Sequence, residues 1–360
     1  MEDSVFVYIN RMRPAKYKNK TERRILMKKI LALVLALVLV ASLGVCAFAD
    51  YPDKAINLIV PYNPGGTTDL TARAIANGMS EVLGVTINVN NVAGAGGSVG
   101  SLQVENGKND GYTILANGML AFTTMPVNGY TDKTYKDWDI WLATYAPNAI
   151  VVPKDSPYQT VVDLVEDMKA RPGEVMFGTA GIGSGGHFGA ETMKAIAGAD
   201  YNHITYAGGG PAVTATLAGE VEVCPQLLAE TKDLIIAGDL RCLAVLSEDD
   251  IEIAEGVVCP SIMKYYPEEA AAYVPMGEVT GIAVPKGLDE AILAKIDEAF
   301  AFAVEQAEVA DFCNLKSFTL MPMTREESQT FLDSFTSKAC YLLWDADACA
   351  NNPADFGIER

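Results

Sequence analysis

The feature that most constrains this chain is a short apolar strand that runs into a glycine turn and then an amphipathic helix, and does so repeatedly. In "VPYNPGGTTDL", residues 60–70, Val60 closes the alternation of Ile56, Leu58 and Val60. Pro64-Gly65-Gly66 makes a turn. Thr67, Thr68 and Asp69 are N-cap residues for a helix over 69–83, which Gly84 stops. Such a junction leaves unpaired backbone N–H groups beside the positive end of a helix dipole, a setting that suits an anion.

The pattern continues along the chain. A strand over 85–89 leads to the glycine-rich 94–100, a helix over 99–106, the turn Asn109-Asp110-Gly111 and a strand over 112–116. This βαβαβ order predicts a mostly parallel, doubly wound sheet. A second unit starts near 150, with a helix over 161–170, a strand over 175–179, a glycine-rich turn at 181–186, a helix through Glu191 to Ile196 and a strand over 203–206. The turn 207–210, a helix over 211–217 and a strand over 240–246 follow, and 289–304 and 325–344 are amphipathic helices. "GIAVPKG" at 281–287 echoes "NAIVVPKD" at 148–155, which suggests two matching connections between the units.

The first fifty residues read as an export signal and not as part of the fold. Lys28-Lys29 precede an apolar run over 30–40, and Ala47-Phe48-Ala49 forms an A-x-A cleavage site before Asp50. The run is short for a membrane span. Residues 1–26 leave three readings open: a start at Met27, a twin-arginine signal at Arg23-Arg24, and lipidation at Cys46.

The whole chain carries 27 Lys and Arg against 46 Asp and Glu, and removing 1–49 (nine basic, three acidic) takes the net charge from −19 to −25. So acidic a surface excludes nucleic acid as a partner. Six cysteines follow the signal, at 224, 242, 259, 313, 340 and 349; their spacing makes no metal motif, and export favours their oxidation. The chain's two histidines, His187 and His203, leave little for a zinc site. No metal or cofactor is expected.

Two glycine-rich stretches imitate enzyme motifs. Gly181-Ile182-Gly183-Ser184-Gly185-Gly186 fits G-x-G-x-x-G, but the acidic residue expected at the end of the next strand is replaced by Tyr206. Gly96-Gly97-Ser98-Val99-Gly100 fits the nucleophile elbow G-x-S-x-G. There Asn90-Asn91-Val92-Ala93 separates the turn from its strand, so Ser98 reads as a helix cap. An exported serine hydrolase using Ser98, with His187 or His203 as base, and a ligand sensor without transport are the alternatives to a binding protein. In open α/β sheets ligands lie beyond the carboxyl ends of the strands, where all these turns fall.

From Tyr51 to about 284 the chain resembles the solute-binding proteins of tripartite tricarboxylate transporters, the Bug family. The resemblance rests on "YPDKAINLIVPYNPGGTTDLTAR", "NVAGAGGSVG", "NDGYTIL", "FGTAGIGSGGHFGAE", "HITYAGGGPAV" and "LRCLAVLSEDD", in that order and spacing. It implies an α/β, two-lobed periplasmic-binding-protein fold, type II-like, with two doubly wound sheets and a hinge. Residues 50–148 plus 272–360 would form lobe one and 149–271 lobe two. It further implies a non-enzymatic, monomeric protein in the periplasm or on the outer face of the cell membrane. Such a protein would pass a small carboxylate to the membrane subunits of its transporter.

Backbone groups of both lobes would hold that carboxylate with few ionic contacts. Lobe one would offer Tyr62, Gly65, Gly66, Thr67, Thr68 and Asp69, then Ala95, Gly96, Gly97, Ser98 and Asn117. Lobe two would offer Thr179, Gly183, Ser184, His187 and Tyr206. Gly66 is expected at positive φ. Asp69 either caps and shapes its loop or meets a ligand ammonium or hydroxyl. His187 is expected to position the loop.

Overall fold

The computed structural model describes residues 51–360. The signal, cleavage and lipidation readings fall on residues outside the described ones. Within them, β1 (Ile56–Val60), β2 (Ile87–Asn91) and β3 (Thr113–Gly118) pair in parallel in the order β2-β1-β3. Helix α1 (Thr67–Leu83) and helix α2 (Ser98–Glu105) connect them. The short α3 (Met119–Thr123) continues directly from β3.

The sheet is mixed, not mostly parallel. The 16-residue strand β4 (Trp138–Pro153) is its longest element. Its first half pairs antiparallel with the return strand Gly277–Pro285 and with the edge strand Thr319–Met323. Its second half pairs antiparallel with two strands of the other half, Cys224–Leu227 and Leu240–Val245. One strand thus serves both halves of the molecule.

The second half repeats the logic of the first. Helix α4 (Val161–Ala170) leads to β5 (Met176–Thr179), helix α5 (Gly185–Ala197), β6 (Asn202–Thr205) and helix α6 (Gly209–Leu217). β5 and β6 are parallel, and a parallel bridge from Phe177 to Val223 joins them to β7 (Cys224–Leu227). Then come α7 (Leu228–Ile236), β8 (Leu240–Val245) and the hairpin of β9 (Ile251–Ala254) with β10 (Val257–Cys259). After the short α8 (Pro267–Ala270), β11 (Gly277–Pro285) returns to the first half, followed by α9 (Glu290–Val304), α10 (Ala307–Lys316), β12 (Thr319–Met323) and α11 (Arg325–Asp345).

The Val-Pro-Lys echoes do not mark the crossings between the halves. Val152-Pro153 ends β4 against β8, and Val284-Pro285 ends β11 against Asp139 and Trp138, each at the far end of its own half. The chain crosses at 146–148 and returns beside it, where Asn148 N–H donates to Met276 O (3.0 Å) and Met276 N–H to Leu246 O (2.9 Å). Helix α11 makes a third tie. Its 21 residues run about 30 Å. Ser328 and Leu332 pack on the first half, while Ala339, Leu342 and Leu343 enter the core built on Phe188, Met193 and Ile196 of α5.

Candidate functional site

The loop after β1 is shaped by Asp69. Gly65 sits at φ +93°, a conformation that disfavours any side chain, and turns its N–H onto Asp69 Oδ2 at 2.9 Å. Asp69 is 2% exposed and also accepts Arg73 Nε (3.0 Å) and Asn91 Nδ2 (2.9 Å). Burial alone would raise its carboxyl, but these bonds hold it below the usual range. Both oxygens are engaged, so Asp69 shapes the loop. The N-cap of α1 is Gly66, at φ −80°, with no side-chain cap. Thr67, Thr68 and Asp69 are therefore helical and do not cap, and the positive φ falls on Gly65 and not Gly66.

The second loop carries Ala95 at φ 44°, Gly96 at φ 64° and Gly97 at φ 96°. A Cβ on Gly97 would lie 2.7 Å from the Tyr62 hydroxyl, so a glycine there admits the phenol, which reaches Gly96 O at 3.4 Å. Burial, then the nearby Glu278 carboxylate, pushes that phenol upward from its ordinary pKa. Ser98 is the first residue of α2 after the N-cap Gly97, and its side chain makes no cap bond, so it does not cap the helix. Asn117 is buried, donates to Ser101 Oγ (2.9 Å) and accepts Gly118 N–H (2.7 Å), which locks the end of β3 to α2.

The third loop, after β5, faces the second across the halves: a Cβ on Gly96 would lie 3.1 Å from Ile182 O. A Cβ on Gly183 would lie 3.5 Å from Asn128 of the first half. A buried polar network holds this loop from behind. Ser184 caps α5 by accepting His187 N–H at 3.2 Å, and His187 Nδ1 accepts Gly183 N–H at 3.2 Å. His187 Nε2 faces Glu191 Oε1 at 3.4 Å, and Glu191 also accepts Tyr201 OH at 2.7 Å. Thr179 Oγ1 bonds His203 Nε2 at 2.6 Å and accepts Gly181 N–H at 3.2 Å. A cavity of about 260 Å³ lies against His187, Glu191, Lys194, Tyr201 and His203.

The side chains of Thr179, Ser184 and His187 are thus engaged within the second half. Tyr206 lies over Gly178 and packs against the cluster containing Ala212, Val213 and Cys224. His187 is engaged with Gly183 and Glu191, and His203 with Thr179, all within the second half.

Sequence reasoning missed Glu230 and Gln226, which meet at Gly209, and the buried Glu278. Glu230, in the first turn of α7, reaches the start of α1: Thr67 Oγ1 donates to Glu230 Oε1 at 3.0 Å and Thr67 N–H at 3.4 Å. A Cβ on Gly209 would lie 2.0 Å from Glu230 Oε2 and 2.1 Å from Gln226 Nε2, so a side chain there must displace both. Glu278 of β11, 6% exposed, accepts Leu120 N–H at 3.0 Å and lies against Gly118. The one signal available was the excess of carboxylates over bases in "QLLAE" and "GEVTG"; nothing in the local pattern turns Glu230 inward. Burial pushes both carboxyls up, Glu278 to about 8 with help from the charge of Glu230.

Among the described residues no helix is long and apolar enough to cross a membrane, and the six cysteines are free thiols. Comparison with known proteins fits this geometry. The chain is 29% identical to protein BugT of Bordetella pertussis over 312 residues, covering 85% of this chain and 94% of that one. A TctC solute-binding protein from Polaromonas, solved without ligand, is 29% identical with a TM-score of 0.63, covering 82% of this chain and 99% of that chain. An R. palustris protein solved with adipate shares the fold at 23% identity and a TM-score of 0.74, covering 83% and 99%. The tripartite tricarboxylate transporter family receptor matches residues 71–341, and the chain belongs to that family of periplasmic solute-binding receptors.

Proposed function

We propose that this protein is an exported, monomeric receptor that captures a small carboxylate between its halves and hands it to the membrane subunits of a tripartite transporter. Lobe one is 50–148 plus 272–360 and lobe two 149–271. The observation that carries the reading is the Glu230 carboxylate on Thr67: the N-terminus of α1 accepts a carboxylate offered from the opposite half. A ligand carboxylate has the same chemistry and takes the same donors, with Thr68, the Gly65-Gly66 backbone, Tyr62 and the loop 95–98 around it. From the second lobe the backbone of 181–184 and Gly209 close over it. The proteins of this fold solved with adipate and with malate hold ligands of this chemical class.

Closure with bound ligand then marks the loaded state for the transporter. The test is thermal unfolding of the chain from residue 50 against a library of small carboxylates. A cognate ligand raises the Tm in proportion to its concentration above Kd. Thr67→Val, which removes the hydroxyl donor, lowers its affinity about tenfold. No stabilisation by any carboxylate, or hydrolysis of an ester lost in Ser98→Ala, would overturn the proposal.

A further inference from the structure

The β9–β10 hairpin is a small sheet of its own, and it is fastened to β8. Val245 N–H donates to Pro260 O at 2.8 Å, and Val245 bridges Ser261 in parallel. Counting back from that bridge along both strands brings Cys242 of β8 beside Cys259, the last residue of β10. The register of β8 shifts between Ala244 and Cys242, so Leu243 is passed over and the two cysteines come level. Both side chains then enter one apolar cluster, with Val151, Leu240, Val245 and Ile253; Cys259 is fully buried in it and Cys242 is partly exposed. Their acidities bear the contact out. Each thiol is the first influence on the other, pushing Cys242 up and drawing Cys259 down.

The other four cysteines are placed differently. Cys224 shares the cluster, but it pairs with Val151 of β4 from one side while Cys242 pairs with Val151 from the other. Two strand spacings of about 4.8 Å separate them, beyond the roughly 4.4–6.8 Å that a disulfide spans between Cα atoms. Cys313 lies in another cluster without a second cysteine. Cys340 and Cys349 pack together, but each gives its thiol to a carbonyl, Thr123 O at 3.8 Å and Asn351 O at 3.6 Å.

We propose that Cys242 and Cys259 join in a disulfide once the chain is exported, clipping the β9–β10 hairpin to β8; the oxidising compartment rests on the exported reading above. The oxidant is a disulfide, of a small thiol or of an exported dithiol protein. The partly exposed Cys242 Sγ attacks it as the thiolate and displaces one thiolate, which takes the released proton. Cys259 Sγ, already beside it and the more acidic of the two, then attacks the mixed disulfide and displaces the second. Two protein thiols become one disulfide, and one disulfide of the oxidant becomes two thiols. The link closes a short loop and holds the hairpin where one backbone hydrogen bond and one bridge now do.

The experiment takes the chain from residue 50, reduced and folded, and exposes it to oxidised glutathione without denaturant. Alkylation and unreduced peptide mapping should find four thiols of the six cysteines and a single linked pair, 242 with 259. The Tm should rise by several degrees, fall again with dithiothreitol, and hydrogen exchange over 251–259 should slow. Cys242→Ser and Cys259→Ala should each abolish the link and the response of the Tm to oxidant; the partly exposed Cys242 guards against the buried variant failing to fold. Six remaining thiols, glutathione held on Cys242 without the link, or a link at 340 and 349 instead would each overturn the inference. A 242–259 link that leaves exchange in the hairpin unchanged would overturn the clip. Protein recovered from the exported fraction by acid trapping should carry the same link; six thiols there would overturn the inference and leave the carboxylate reading standing, since its ligand screen is separate.

Discussion

His187 Nδ1 accepts the N–H of Gly183 four residues earlier, while its ring stacks on that of His203 with 4.8 Å between centroids and 2° between planes. The first contact fixes the tautomer: a ring nitrogen that accepts leaves the proton on Nε2, which then points at Glu191. The loop that faces Gly96 is therefore positioned from behind by buried groups of its own half.

Replacing His187 by Ala strands the Gly183 N–H and removes one of the two groups that face Glu191 Oε1, which keeps Tyr201 OH. We expect a loss of about 1–3 kcal/mol in stability. Hydrogen exchange at 181–183 should accelerate, while exchange in α1 stays as in the wild type. Unchanged protection at Gly183 would show that the histidine is only packing.

The histidine pair also sets a pH dependence. Burial, then His187 nearby, pushes His203 down to about 4 from its ordinary 6.5, so it stays neutral in the folded state. Its contribution is complete above pH 6.5 and is lost as the pH falls through about 4, because the unfolded chain takes up the proton first. Melting curves from pH 7 to pH 4 should show the wild type losing more stability than His203→Gln. Parallel curves would contradict this.

Glu278 acts with the opposite sign. Its folded carboxyl titrates near 8 against 4.5 in the unfolded chain, so its contribution is complete below pH 4.5 and is lost as the pH rises through about 8. Glu278→Gln should therefore gain in melting temperature over the wild type above pH 8, and not at pH 5. A constant difference across that range would mean that the group titrates normally.

The parallel elements at the heart of each half were legible because their periodicity is local: β1, α1, α4 and β5 fall within two residues of their expected bounds. Of the strand β4 only the end, the apolar stretch 148–153, was. Asp139, Tyr145, Pro147 and Asn148 break its alternation, and it is covered on both faces almost throughout, so no period of two survives. The edge strand β12 was hidden by Pro322, tolerated there because an edge needs fewer ladder donors. At the site, the glycine loops announced themselves by composition. Glu230 did not, because its role depends on a partner 163 residues away.

The sharpest test of the site compares two glycines. Gly66 lies at φ −80°, and the nearest atom to a Cβ there is Glu230 Oε1 at 3.8 Å, an ordinary contact. Gly66→Ala therefore fits the fold, and its cost should stay within about 1 kcal/mol of stability. At Gly209 a Cβ would meet Glu230 Oε2 at 2.0 Å and Gln226 Nε2 at 2.1 Å. Both atoms end flexible side chains, so Gly209→Ala should fold, but only by moving Glu230 off its present position. That movement breaks the Thr67–Glu230 bond between the halves. Because the Gly209 backbone closes over the ligand in the reading proposed above, its new methyl and the displaced Glu230 stand in the way of closure, and we expect Gly209→Ala to lower ligand affinity about tenfold or more while Gly66→Ala lowers it much less. Small-angle scattering of the ligand-free protein should show a larger radius of gyration for Gly209→Ala than for the wild type. If both variants bind alike, the groups that meet at Gly209 are packing, and the carboxylate position at the start of α1 does not depend on them.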